Sequence, residues 1–332
     1  MYKNRPYTGN ISVVIPCYNE QPNIEPLYRE LSRELQRYGR YEMLFVDDGS
    51  SDRSSAIIER LAAEDPQLGY IRLSRNFGQQ QALKAGLDRA RGDCVITMDG
   101  DGQHDPALIH PLIHCWQKEG YEVVYTLRKD TRKQYLKTRA SGWFYRLLNC
   151  LSDIRVEQGT ADFRLLDRSI VEKLKTMKEY HLFLRGLIPW IGFRQKGIPI
   201  EVNERVSGES KYTVPKMLAL ALHGITSFSI APLRWSLLLG ILFACGAFGY
   251  GFYTLYVFFF TEQAVSGWTS VIASLLFLSG LQLMMMGIMG EYIGKIFEQV
   301  KHRSGYIVQE YKEANFFSKK SFDHNNEKIE TR

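Results

Sequence analysis

The sequence predicts an α/β fold: a mostly parallel sheet with helices on both faces, followed by interfacial helices and two membrane-spanning helices. Three observations predict it. Over residues 11–128, short apolar runs alternate with stretches whose apolar residues recur at helical spacing, the pattern of a sheet crossed by helices. Four of the strand-like runs end in PCYNE, VDDGSSD, SRNFG and MDGDGQH, polar and acidic on the edge where such sheets bind ligands. From Leu233 onward, two long runs are almost free of charge.

In chain order, ISVVIP (11–16) reads as the first strand. EPLYRELSRELQRY (25–38) sets Leu27, Leu31 and Leu35 on one helical face. YEMLFVDD (41–48) is a strand ending in acids, and SSAIIERLAAE (54–64) a helix that Asp52 or Ser54 can cap. GYIRLS (69–74), QQQALKAGLDRA (79–90), GDCVITMD (92–99) and YEVVYTLR (121–128) read as strand, helix, strand and strand.

The segment 214–232, bounded by Pro215 and Pro232, is apolar but too broken to span a membrane. It reads as one or two amphipathic helices in the interface, the alternative being a core helix of the preceding domain. The runs 233–260 and 267–290 each exceed the roughly 20 apolar residues that cross a bilayer core. Their connection, TEQAVSG, has no Lys or Arg, whereas Lys211, Lys216 and Arg234 precede the pair and Lys295, Lys301 and Arg303 follow it. The bias of basic residues places a domain over 1–213 and a tail over 291–332 in the cytoplasm. The polar stretch after Tyr311 is expected to be disordered.

The chain has 332 residues, a formal net charge of +6 and a pI near 8.9. That charge suits an anionic partner, or simply a basic surface; no nucleic-acid-binding module accompanies it. Mean hydropathy of -0.23 averages a charge-rich first part with an apolar second. The five cysteines are scattered, with no C-x-x-C, which argues for a reducing compartment and against a zinc site or disulfide framework. MYKNRPYTGN at the start is polar and unlike a secretory signal.

Asp99, Asp101 and Gln103 close the run GDCVITMD. Alternate residues at a strand end point the same way, and converging carboxylates repel unless a cation joins them. Oxygen-only ligands suit Mg²⁺ or Mn²⁺, while the single His104 is too little for zinc. A solvated acidic turn is the competing reading, weakened by the second acidic strand end. There, Asp47 or Asp48 can accept hydrogen bonds from a base or ribose, and Gly49 permits the sharp turn. In PCYNE, Pro16 ends the strand, while Tyr18, Asn19 and Glu20 either line a pocket or begin the next helix.

PCYNE, DDGSSD and DGDGQ at these separations resemble a family 2 glycosyltransferase with the GT-A fold, a Rossmann-like catalytic domain. DFRLLDR (162–168), FLRGL (183–187), RVSGESKY (205–212), GITSFSIAPLR (224–234) and GEYIGK (290–295) resemble the bacterial polyprenyl-phosphate glycosyltransferases, most closely the bactoprenol glucosyltransferases. The resemblance covers residues 10–310. It implies that Asp48 contacts the uracil of a UDP-sugar and that Asp99, Asp101 and Gln103 hold the divalent metal on the diphosphate. Pro16, Tyr18 and Glu20 would line the donor pocket. Asp162 matches an acid of the site, as base, donor-hydroxyl partner or part of the acceptor's surroundings. Arg205, Ser210 and Lys211 match a loop that closes over the phosphates. Arg128, Lys137 and Arg139 lie where relatives hold the acceptor phosphate, although such a basic run is also an ordinary solvated face or a lipid-headgroup surface.

Processive polysaccharide synthases of the wider family carry Q-x-x-R-W, and this chain has Ala231 where that Gln would stand. Two spans also leave too few helices to enclose a polymer. The resemblance therefore implies transfer of a single hexose, glucose, with inversion, from a UDP-sugar to undecaprenyl or another polyprenyl phosphate. The setting would be the cytoplasmic face of a bacterial inner membrane, in a homo-oligomer that relatives suggest is a tetramer. Transfer of GlcNAc or an aminoarabinose derivative is the enzymatic alternative; a flippase or channel component is the non-enzymatic one.

Overall fold

The computed structural model describes residues 9–38, 40–128, 159–180, 182–200, 229–260 and 267–315. Among these, eight strands build one sheet: β1 (Ile11–Cys17), β2 (Tyr41–Asp47), β3 (Leu68–Leu73), β4 (Cys94–Thr97), β5 (Val123–Arg128), β6 (Thr160–Asp167), β7 (Gln195–Ile200) and β8 (Val308–Lys312). Their spatial order is β7-β5-β6-β4-β1-β2-β3-β8. β1 runs parallel to β2 and β4, β2 to β3, and β5 to β7; only β6 and β8 run against the rest. The sheet is mostly parallel, as the alternating pattern predicts.

The order reverses at β1, whose neighbours are β2 on one side and β4 on the other. Ligands of open α/β sheets bind at such a switch point, beyond the carboxyl ends of the strands. The ends of β1 and β4 flank it, and the end of β2 adjoins it.

Helices α1 (Gln21–Leu35), α2 (Ser54–Glu64), α3 (Gln79–Arg89), α4 (Ile109–Lys118), α5 (Arg168–Thr176) and α6 (Leu184–Trp190) accompany the sheet. Ile24, Leu27, Leu31 and Leu35 of α1 are buried with Ile11, Val13 and Ile15 of β1 and with Ile109, Leu112 and Ile113 of α4. Each such side chain contributes about 1.5–3 kcal/mol of burial. α3 lies on the opposite face, so near β1 that a methyl on Gly86 would meet Val14 at 2.2 Å. The strands are buried on both faces, which is why they read as continuous apolar runs.

The described residues fall into two compact units. One holds the sheet, these six helices and the residues from Ser304 on; the other holds α7 (Ala231–Phe260) and α8 (Trp268–Val300). Within the second unit the rings of Phe243 and Phe277 meet edge-on at 5.6 Å, and Tyr292 Oη donates to the Ser229 carbonyl at 2.6 Å. Over Ala231–Tyr253, α7 is long and apolar enough to cross a membrane by length and composition, and none of that stretch is buried. It is the one such helix among the described residues, where two spans were expected. α8 continues ten residues past the expected end at 290, and α7 begins at Ala231, with Pro232 in its first turn where proline costs little. Most of the expected interfacial segment, 214–228, lies outside the described residues.

Of the stretch after Tyr311 that is expected to be disordered, 312–315 lie against the sheet and 316–332 lie outside the described residues. Residues 308–312 form β8, pairing Tyr70 with Lys312 and Arg72 with Glu310. Arg91 fastens it, donating to Glu313, to the Ala314 carbonyl and to the buried Glu42. Tyr306 donates to Asp88 at 2.8 Å, and Asn315 N to the Pro66 carbonyl. An edge that β3 would otherwise leave open is thereby covered.

Candidate active site

The acids gather at the carboxyl edge, as their strands dictate. Cys17, the last residue of β1, records their presence: burial, and then the charges of Asp47, Glu20, Asp99 and Asp52, push its thiol well above the ordinary value. Thr97 ends β4, and Asp99 and Asp101 follow in the turn after it rather than on the strand itself. Gly100 between them is packed so that a methyl would meet Cys17 Sγ at 2.8 Å and the Pro16 carbonyl at 3.0 Å. That contact fastens the turn to the end of β1. Asp99 and Asp101 are both half-buried. Asp99 Oδ1 accepts from Gln79 Nε2 at 2.6 Å. Asp101 Oδ2 accepts from Gln103 Nε2 at 2.6 Å, and its Oδ1 from the Gln103 backbone N–H at 3.1 Å.

At the end of β2 the two acids divide their work. Asp47 is a turn former, accepting from Ser50 N at 3.0 Å and from the Ser55 hydroxyl. Asp48, 2% exposed, accepts the backbone N–H groups of Phe77 at 2.7 Å and Gly78 at 2.9 Å. Burial raises its carboxyl above the usual range, and those two donors pull it part of the way back. Asp48 thus holds the loop that leads into α3. Gly49 has φ +69°, and a methyl there would lie 2.5 Å from the Arg75 carbonyl carbon. Only glycine lets this turn pass the 75–76 backbone.

In the turn after β1, Tyr18 is 46% exposed. Asn19 has φ 56° and bonds across to the neighbouring turn, giving its N–H to Ser50 Oγ and accepting from Ser51 N. Glu20 N donates to Ser54 Oγ, and Glu20 Oε2 accepts from Asn23. Tyr18 and Glu20 therefore sit at the same edge as Asp48, joined to it by turn chemistry.

β6 runs against β4, with Thr97 opposite Arg164, so its first residues reach the same edge. Asp162 there is 2% exposed. Its Oδ1 accepts from Arg164 Nη2 at 3.0 Å and from Arg185 Nε at 2.9 Å, and its Oδ2 from Arg185 Nη2 at 2.8 Å. Thr97 Oγ1 donates to the Asp162 carbonyl at 2.6 Å. Arg164, 4% exposed, has its ionisation lowered by burial, opposed by the charges of Asp162 and Asp99 and reinforced by that of Arg185. Arg164, Arg185 and Gln79 bond directly to the candidate acids Asp162 and Asp99, and the sequence reading missed them. The signal was an arginine inside an apolar strand, in DFRLL, and a second in FLRGL.

Arg128 ends β5, opposite Ile200. Lys137, Arg139, Arg205, Ser210 and Lys211 lie outside the described residues. The closest grouping of potential metal ligands among the described residues is His114, Cys115 and Glu119. It stands at the end of α4, at the opposite edge of the sheet, and Glu119 there binds Lys196 at 2.5 Å.

The donor set at the switch point fits a hard divalent cation. Asp99, Asp101 and Gln103 offer carboxylate and amide oxygens, the ligands such a cation takes, and the two acids are already oriented by amide donors that leave further lone pairs on each carboxylate.

A family model described as Glycosyl transferase family 2 matches residues 12–175, and one described as GtrB C-terminal hairpin matches 231–296. Similar proteins include an uncharacterized glycosyltransferase, YkcC, of Bacillus subtilis (strain 168), 43% identical over 90% of this chain and 93% of that one. The prophage bactoprenol glucosyl transferase homolog of Escherichia coli (strain K12) is 38% identical over 91% and 99%. The bactoprenol glucosyl transferase of Shigella phage SfV is 40% identical, again over 91% and 99%.

Proposed function

The chain belongs to glycosyl transferase family 2, and from that premise we propose that it transfers one glucose from UDP-glucose to a polyprenyl phosphate, with inversion. What carries the reading is the pairing of two facts. Relatives of nearly the same length carry the name bactoprenol glucosyl transferase or its homolog, and among the described residues Asp48, Asp99 and Asp101 follow the carboxyl ends of β2 and β4, beside the switch point of this sheet.

Asp99, Asp101 and Gln103 would hold a divalent cation, Mg²⁺ or Mn²⁺, which when bound supplies a Lewis acid for the charge that develops on the diphosphate. Asp48 and the turn it braces would receive the uracil, with Pro16, Tyr18 and Glu20 along the same edge. Arg205, Ser210 and Lys211 would close over the donor phosphates and add positive charge there. The acceptor is already anionic, so it needs positioning against its repulsion from the donor more than it needs a strong base. Arg128, Lys137 and Arg139 are the residues we assign to that task. A displacement from the face opposite the leaving group converts an α-linked donor into a β-linked product.

A polyprenyl tail stays in the bilayer, so the sheet must work at its surface. We assign 233–260 and 267–290 to two spans, 214–232 to the interface, and the 1–213 domain and both termini to the cytoplasmic side of a bacterial inner membrane, in a homo-oligomer such as a tetramer. The test is transfer of radiolabel from a panel of UDP-sugars to extractable lipid by the full chain in nanodiscs containing undecaprenyl phosphate. Labelling from UDP-glucose above all others supports the reading. Preference for UDP-GlcNAc or an aminoarabinose donor replaces the sugar, and no labelling of lipid from any donor overturns it.

A further inference from the structure

The C-terminal strap, residues 304–315, meets the stretch 74–81 at both of its ends. Ser74, the residue after β3, donates its N–H to the Ile307 carbonyl at 2.9 Å. At the far end of the stretch, a methyl on Gly305 would meet Gln81 Cδ and Nε2 at 2.8 Å, so the strap backbone lies directly on the Gln81 side chain. Between these two contacts, Phe77 N and Gly78 N donate to Asp48, and Gln79 donates to Asp99. The stretch 74–81 thus holds one acid from each of two strand ends, and the strap holds the stretch.

Gln81 has a second partner. Its Nε2 donates to the Tyr180 carbonyl at 3.0 Å, and next to it Gln80 Oε1 accepts the Leu184 N–H at 3.1 Å. Gln81, Lys84 and Asp88 recur at helical spacing along one face of α3. The strap is fixed to that face. Tyr306 Oη donates to Asp88 Oδ2 at 2.8 Å and accepts from Arg89 Nη1 at 3.3 Å, while Lys84 bonds the other oxygen of Asp88. Arg89 also lies over the Tyr311 ring at 5.2 Å, within cation–π reach. The neighbour of Gly305 is therefore anchored to α3, which keeps the strap close over Gln81.

We propose that Gly305 is a positioning residue of the active site: with no side chain, it seats the strap on Gln81 and so keeps the stretch 74–81 aligned with Asp48 and Asp99. This deepens the glycosyl-transfer reading and rests on it. A side chain at 305 would meet the far end of a flexible glutamine and not a backbone. Gln81 would swing aside and lose Tyr180, and the fold would stay together. The cost falls on the alignment of the stretch that holds the two acids, more than on global stability.

The test uses the full chain with Gly305→Ala, Gln81→Ala and the two combined, with thermal unfolding as the folding control. UDP binding with Mn²⁺ is titrated, and hydrogen exchange is followed at the amides of Phe77 and Gly78. Gly305→Ala, folded as the wild type, is expected to lose about fivefold in UDP affinity, the equivalent of one hydrogen bond. Exchange at 77 and 78 is expected to quicken while the β1 amides hold their protection. Gln81→Ala inserts no atoms into the contact, so it carries the test should Gly305→Ala not fold, and it is expected to do the same. Adding Gly305→Ala to Gln81→Ala is expected to change nothing further, because the side-chain end that it would displace is gone. Exchange needs no donor: a wild-type chain that binds no UDP fails the proposed function, while exchange at 77 and 78 still judges Gly305. Unchanged exchange at 77 and 78 in the folded single variants would overturn the proposal. So would UDP affinity within about twofold of a UDP-binding wild type, or a further loss in the combined variant.

Discussion

Gln79 and Asp99 are joined by a hydrogen bond of 2.6 Å from the side-chain amide to Oδ1, so the first turn of α3 sets the direction of the first acid after β4. Partners of this kind typically change metal affinity 10–100-fold. Gln79→Ala should therefore weaken Mn²⁺ binding by about tenfold and leave the fold intact, since Gln79 is exposed. Titration followed by Mn²⁺ electron paramagnetic resonance reads this. Affinity equal to wild type would remove Gln79 from the site.

Gly49→Ala should destabilise the protein by about 1–3 kcal/mol. The residue sits at φ +69°, and the added methyl meets backbone at 2.5 Å, which cannot swing aside as a side-chain tip would. Because Asp48 next to it holds the 77–78 loop, UDP affinity should fall with stability. Urea unfolding and UDP titration of the one variant measure both.

Asp48 gives a pH dependence whose sign follows from its burial. Its carboxyl titrates above the unfolded value, so between the two values the folded chain keeps a proton that the unfolded chain has lost. Its contribution to stability therefore falls as pH rises from the ordinary carboxylate range through the raised value, and the penalty persists above it. Asp48→Asn removes that contribution. The stability of the wild type relative to Asp48→Asn should decrease across this window in urea unfolding at stepped pH. A difference that grows with pH would contradict the assignment.

Arg91→Ala should loosen the C-terminal strap. Glu42, 1% exposed, would keep Ser12 and the backbone N–H of residue 91 but lose the guanidinium. Arg91 itself is partly exposed, which tempers the cost to about 1–2 kcal/mol. Hydrogen exchange should quicken at the β8 amides while those of β1 and β2 hold their protection. Uniform change across the sheet would show that the strap is no separate unit.

How much of this was legible in the sequence depends on how local its cause is. β1 to β4 were readable because each apolar run is buried on both faces and ends in turn chemistry. The acids were readable because a charge cluster after such a run is unusual. β8 was not: VQEYK is short, polar at the edge, and owes its pairing to Tyr70 and Arg72, far back in the chain. The reversed direction of β6 was equally hidden, although it is what brings Asp162 to the edge beside Thr97. QQQ shows only composition. That its members reach three different partners follows from the turn of about 100° between helical neighbours and from a segment about a hundred residues on. From the residues alone Asp47 and Asp48 looked interchangeable, the resemblance favouring Asp48; their bonds separate a turn former from a loop holder.

The most direct test of the central claim is transfer of radiolabelled glucose from UDP-glucose to undecaprenyl phosphate by the purified full chain, with Mn²⁺, with chelator, and with Asp101→Asn. The account predicts labelled lipid in the first case and a loss of at least about a hundredfold in the other two. Lipid labelled equally in all three would contradict it.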